Sequence, residues 1–86
     1  MQEVFIKKYW AEENILFYVH FQDGRAVRQI DVTPDKKIFL SKDHPHEGDT
    51  SLYDHSIDDL QLEQKDFITA EVFEKVWAKK WGLDTL

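Results

Sequence analysis

Asn14-Ile-Leu-Phe-Tyr-Val-His-Phe-Gln-Asp-Gly-Arg-Ala-Val-Arg-Gln-Ile-Asp-Val32 decides the fold. Two runs rich in β-branched and aromatic residues flank Asp23-Gly24. Asp-Gly between such runs is a strong hairpin signal, because a type I′ turn requires positive φ at both central positions. Pairing Gln22 with Arg25 sets Phe21 opposite Ala26, Val19 opposite Arg28, Phe17 opposite Ile30 and Ile15 opposite Val32. That register gathers most of the apolar residues on one face, and a slip of one residue would scramble it. The other face receives Leu16 with Asp31, Tyr18 with Gln29 and His20 with Val27.

On the C-terminal side of this hairpin, Thr33-Pro34-Asp35-Lys36-Lys37 carries Pro and Asp where a type I turn wants them. A loop that pairs Thr33 with Lys37 brings Ile38 and Leu40 onto the face of Ile30 and Val32. On the N-terminal side, a loop from Ala11 to Asn14 pairs Trp10 with Ile15. Val4, Ile6 and Trp10 then join the core face, with Lys8 as the exception. Near the C-terminus, Thr69 reads as an N-cap, and Val72, Phe73, Val76, Trp77 and Trp81 recur at helical spacing up to Gly82, a common helix stop. The expected architecture is a single α+β domain over residues 1–86. It is a four-stranded antiparallel β-meander with one C-terminal helix packed on one face, the face of Phe17, Val19 and Phe21.

Composition narrows the function classes. The chain has 86 residues, no cysteine and a net charge of −6. Disulfides and thiolate metal sites are excluded. Eight acids against one lysine lie between Asp43 and Asp66. Such a local field favours a basic protein partner and disfavours nucleic acid or an anionic membrane surface. Val4 to Ile6 is broken at once by Lys7 and Lys8, and no run approaches the roughly 18 apolar residues of a membrane span. A soluble cytoplasmic protein is the expectation.

Three constellations bear on chemistry. His44, His46 and His55, interleaved with Asp43, Glu47, Asp49 and Asp54, supply the nitrogen and oxygen donors that a divalent metal takes, although His44-Pro45-His46 is an awkward spacing for one ion. Glu47, Asp49, Asp58 and Asp59 are the carboxylates from which acid–base chemistry would be built. Ser41, Ser51 and Ser56 have no nucleophile-elbow context, and the glycines form no phosphate cradle, so no catalytic residue and no cofactor is assigned. The third constellation is the sheet face expected to point away from the helix, where Phe5, Tyr9, Leu16, Tyr18, His20 and Phe39 are too aromatic for an ordinary solvated surface. The segment from Ser51 to Phe67, a second copy or another protein is expected to cover it. In the last case Tyr9, Tyr18, His20 and Phe39 contact the partner, with Asp54, Asp58 and Asp59 as a steering rim.

Phe5-Ile-Lys-Lys-Tyr-Trp10, Ala26-Val-Arg-Gln-Ile-Asp-Val32 with its Pro-Asp turn, and Ile68-Thr-Ala-Glu-Val-Phe-Glu-Lys-Val-Trp77 together resemble a family of small bacterial proteins catalogued as a domain of unknown function. The resemblance spans most of the domain and implies its sheet-and-helix fold but no activity. It also implies an association with toxin immunity. The sequence thus points to a non-enzymatic binding module, an immunity or antitoxin-like inhibitor of a basic partner, with a homodimer as a further assembly. The alternative is a small metal-dependent or carboxylate-based enzyme centred on residues 43–59.

Overall fold

The hairpin and its neighbours form strands β1 (Glu3–Trp10), β2 (Ile15–Gln22), β3 (Arg25–Val32) and β4 (Lys37–Ser41) in the computed structural model, which describes residues 2–81. A small separate hairpin follows, from β5 (His46–Glu47) and β6 (Thr50–Ser51). β7 (Phe67–Ile68) then leads into helix α1 (Ala70–Trp77). Because β7 pairs with β1, the main sheet has five antiparallel strands in the order β4-β3-β2-β1-β7 rather than the four expected. The α+β class holds. A strand of two residues is too short to leave a periodic pattern.

Asp23 and Gly24 adopt φ of 51° and 86°, as the type I′ turn demands. Gln22 pairs with Arg25 and Phe21 with Ala26, but His20 then pairs with Arg28 across a β-bulge that leaves Val27 as the extra residue. Beyond the bulge, every residue of β3 changes face relative to the expected register. Gln29 and Asp31 join Val19 and Phe17, while Arg28 and Ile30 join His20 and Tyr18. The next turn shifts by one residue as well, since Val32 rather than Thr33 pairs with Lys37. Thr33 closes this longer loop, its N–H donating to the Lys36 carbonyl at 2.9 Å and its Oγ1 accepting from the Lys36 N–H at 3.1 Å. The two shifts cancel. Ile38 and Leu40 reach the face of Phe17 and Val19 as expected, but opposite Asp31 and Gln29 instead of Val32 and Ile30. The β1–β2 register is the expected one, with Trp10 opposite Ile15, Ile6 opposite Val19 and Val4 opposite Phe21.

The helix packs on the face opposite to the one expected. Thr69 Oγ1 caps it by accepting the Val72 N–H at 3.2 Å. Phe73 is fully buried against Phe5 and His20, at 5.5 and 5.7 Å between ring centroids, and Trp77 meets Phe39 edge-on at 5.7 Å. On the other face, Ile6, Val19, Phe21 and Ala26 form a buried cluster under Leu52, Tyr53, Ile57, Leu60 and Leu62. Gly82 and the side chain of Trp81 lie outside the described residues. Among the described residues no helix is long and apolar enough to cross a membrane.

Candidate functional site

The segment that covers the β1–β3 face seals only part of it. Over the rest lies a groove of about 500 Å³ between the sheet and residues 49–53, lined mainly by Trp10, Ile15, Phe17, Val19, Tyr53 and Leu60. The strand registers lay out its floor in cross-strand rows. Trp10 stands beside Ile15, Lys8 beside Phe17 and Asp31, and Ile6 beside Val19 and Gln29. Trp10, 46% exposed, lines the groove, whereas Tyr9 at its edge is turned by strand alternation to the face of Phe5 and Lys7. Asp49 also lines it, and Glu12 Oε1 accepts the Trp10 indole N–H at 3.1 Å.

Polar groups sit in the floor of this apolar groove. Gln29 Nε2 donates to Asp31 Oδ1 at 2.8 Å, and Gln29 Oε1 accepts the Tyr53 N–H at 2.8 Å. One glutamine thereby fastens the covering segment to the sheet and holds the neighbouring carboxyl in place. Asp31 is 5% exposed, and burial pushes its pKa up from the ordinary aspartate value against the opposing effect of the Gln29 hydrogen bond. Its second carboxyl oxygen takes no hydrogen bond from a described residue. No described buried side-chain oxygen or nitrogen lacks a partner, so this oxygen opens onto the groove that Asp31 lines. The lysine of the same row is already engaged, because Lys8 Nζ donates to the Gln61 carbonyl at 3.1 Å and to Asp66 Oδ2 at 3.4 Å.

Beneath the helix, by contrast, the buried polar groups are fully committed. Arg28 Nε donates to His20 Nδ1 at 3.0 Å, so the imidazole proton resides on Nε2, which donates to Glu3 Oε1 at 2.6 Å. The same guanidinium makes a two-pronged contact with Glu74, at 3.1 and 2.5 Å, and lies over the rings of Phe73 and Trp77 at 4.9 and 5.1 Å. Burial lowers the His20 pKa against the raising effect of the Glu3 hydrogen bond, and the Arg28 charge adds to the lowering.

Compared with known proteins, the chain matches no family model, no curated protein and no solved structure. The site is read from its own geometry.

The structure disperses the residues named from sequence. His20 is 4% exposed and Phe39 is half-buried against Trp77, so both belong to the helix interface rather than to an outer surface. The cause is the reversal of faces, which puts the helix where a partner was expected. Tyr18 is half-buried on that same side of the sheet, opposite Ile30. Tyr9 remains exposed, with its hydroxyl 2.6 Å from Asn14 Oδ1. Asp54, Asp58 and Asp59 are exposed, and Asp58 borders a second, shallow hollow with Asp23 and Phe67. The three histidines of the loop have separate partners: His44 lies 3.4 Å from Glu47, His46 lies 3.0 Å from Ser51 Oγ, and His55 lies 3.4 Å from Asp54. Among the described residues no three His, Asp or Glu side chains converge on a common metal position. Sequence reasoning missed Gln29, Asp31 and Phe17 as site residues. Two polar residues in the alternation of β3 were the available signal, and only the bulge turns them inward.

Proposed function

We propose that this chain is a non-enzymatic binding module for a basic protein, and that the open part of the β1–β3 face receives it. The observation that carries this reading is Asp31, a carboxyl held at the floor of an apolar, aromatic groove with one oxygen free. Apolar walls supply contact area, and a few placed polar groups supply specificity, as in binding clefts generally. The sign of the partner follows from the charges. The acids from Asp43 to Asp66 attract a cationic surface at long range, and the groove keeps a carboxyl for it at short range. A second copy fits less well, because association would bring two chains of net charge −6 together. An immunity or antitoxin-like inhibitor is one form that such a module takes, with a basic toxin as its target.

Site-directed photo-cross-linking tests the docking face. A photoreactive aromatic amino acid in place of Trp10, which strand alternation turns to the groove face, is expected to capture a basic protein in cells that make this chain, with capture diminished by salt. The same group in place of Lys37, on β4 away from the groove, captures none. Equal capture from both positions, or capture of an acidic protein only, rejects the groove as the docking face.

A further inference from the structure

We infer that the groove is a receptor for a lysine side chain of the partner protein, whose ammonium pairs with the free oxygen of Asp31 while its alkyl stem lies along Phe17, Ile15 and Trp10. This rests on the binding-module reading and specifies the group recognised. Three observations select lysine.

The first is the disposition of the carboxyl. Asp31 Oδ1 is occupied by Gln29 Nε2 at 2.8 Å, so a single oxygen is offered to a ligand. A guanidinium achieves its strength and selectivity by contacting both oxygens of a carboxylate at once, and at Oδ1 it would have to share the oxygen with the Gln29 hydrogen bond, which disfavours that geometry. An ammonium is a point charge with rotatable donors and is satisfied by one strong contact. The Arg28–Glu74 pair in the same molecule shows the two-pronged alternative where both oxygens are free.

The second is the shape and chemistry of the approach. Trp10 and Ile15 in one cross-strand row and Phe17 in the next make an apolar and aromatic approach to the carboxyl, with Asp49, Thr50 and Ser51 of the covering segment also lining the groove. A lysine presents four methylenes before its charge, which matches an apolar path ending at an anion. Aromatic rings near an ammonium add cation–π attraction.

The third is the cost of leaving Asp31 as it is. A buried carboxyl with one hydrogen bond is a liability in an isolated domain, because removing its hydration is repaid only in part. Among the described residues the only lysine lining the groove, Lys8, is committed to Gln61 and Asp66 on the other side of Phe17. An incoming cation supplies the compensation that the fold does not.

The test uses the intact chain and three capped amino acids, Nα-acetyl-lysine, Nα-acetyl-arginine and Nα-acetyl-norleucine methylamides, followed by NMR shifts of the Trp10 indole and the Tyr53 amide. The lysine derivative is expected to saturate these shifts, with the arginine and norleucine derivatives about tenfold weaker, the scale of one charge-assisted hydrogen bond. Asp31→Asn retains an acceptor for Gln29 and should reduce lysine to the norleucine level. Equal binding of lysine and norleucine by the wild-type chain, a comparison that needs no variant, overturns the inference, as does lysine binding untouched by Asp31→Asn. Tighter binding of arginine overturns the choice of lysine. If these tests fail while cross-linking at Trp10 still captures a basic protein, the lysine inference falls and the binding-module reading stands. If both fail, neither stands.

Discussion

The two faces of one sheet are finished differently. Under the helix, Glu3, His20, Arg28 and Glu74 form a continuous chain of hydrogen bonds, backed by Phe5, Phe73 and Trp77. Across the sheet, Asp31 has one hydrogen bond and a free oxygen, and aromatic residues around it reach solvent. Both faces bury polar groups, but only the open face leaves a carboxyl oxygen to the solvent of a groove. The difference separates what holds the domain together from what it offers to another molecule.

The largest expected effect breaks the sealed face. Phe73→Ala removes the fully buried ring of α1 and should cost about 3–5 kcal/mol in denaturant unfolding. Trp10→Ala, a larger truncation by volume on the open face, should cost less than about 1 kcal/mol because the ring is half exposed. Comparable losses from the two would erase the distinction between the faces.

A smaller effect comes from pH. His20 has a folded pKa below its unfolded value of about 6.5. As pH falls past that value, the unfolded chain takes up a proton that the folded chain refuses. Its contribution is therefore complete above about pH 6.5 and is lost as pH falls toward the lowered folded value. Protonating Nδ1 would also replace an acceptor with a donor facing Arg28 Nε. Unfolding free energy should decline across this window in the wild type, and the decline should flatten in His20→Gln.

The smallest effect on stability sharpens the other side. Burial raises the Asp31 pKa, so the folded chain holds that proton more tightly than the unfolded one. Its contribution is favourable at acid pH and is lost as pH rises through the folded value. Asp31→Asn removes the buried charge and should leave the Tm at neutral pH unchanged or higher. A marked fall in Tm would make Asp31 part of the scaffold.

Much of the fold was legible because its signals are local. Asp23-Gly24, the Trp10–Ile15 pairing, the Thr69 cap and the Phe73–Trp77 spacing each rest on residues close in sequence. The assignment of faces failed at Val27. A bulge changes which side of the sheet all later residues occupy, yet alternation reads equally well on both sides of it. Hence His20 and Phe39 were expected at a surface and lie under the helix, while Gln29 and Asp31 were expected at a surface and form the groove floor. The acidic segment announced the sign of the field. The carboxyl singled out by the groove lies outside it, because the burial of Asp31 is a property of the bulge and of the cover that Gln29 anchors.

The most direct measurement is the titration of the Asp31 carboxyl by carbon-13 NMR, resolved by comparison with Asp31→Asn and followed together with the ring signals of Trp10 and Phe17. Among the described residues Lys8 and Asp49 are the other charged side chains lining the groove. An Asp31 titration above the ordinary aspartate range, felt by both rings and lowered by saturating Nα-acetyl-lysine methylamide, is the predicted result. A titration at or below the ordinary range, unmoved by the lysine derivative, would contradict the account.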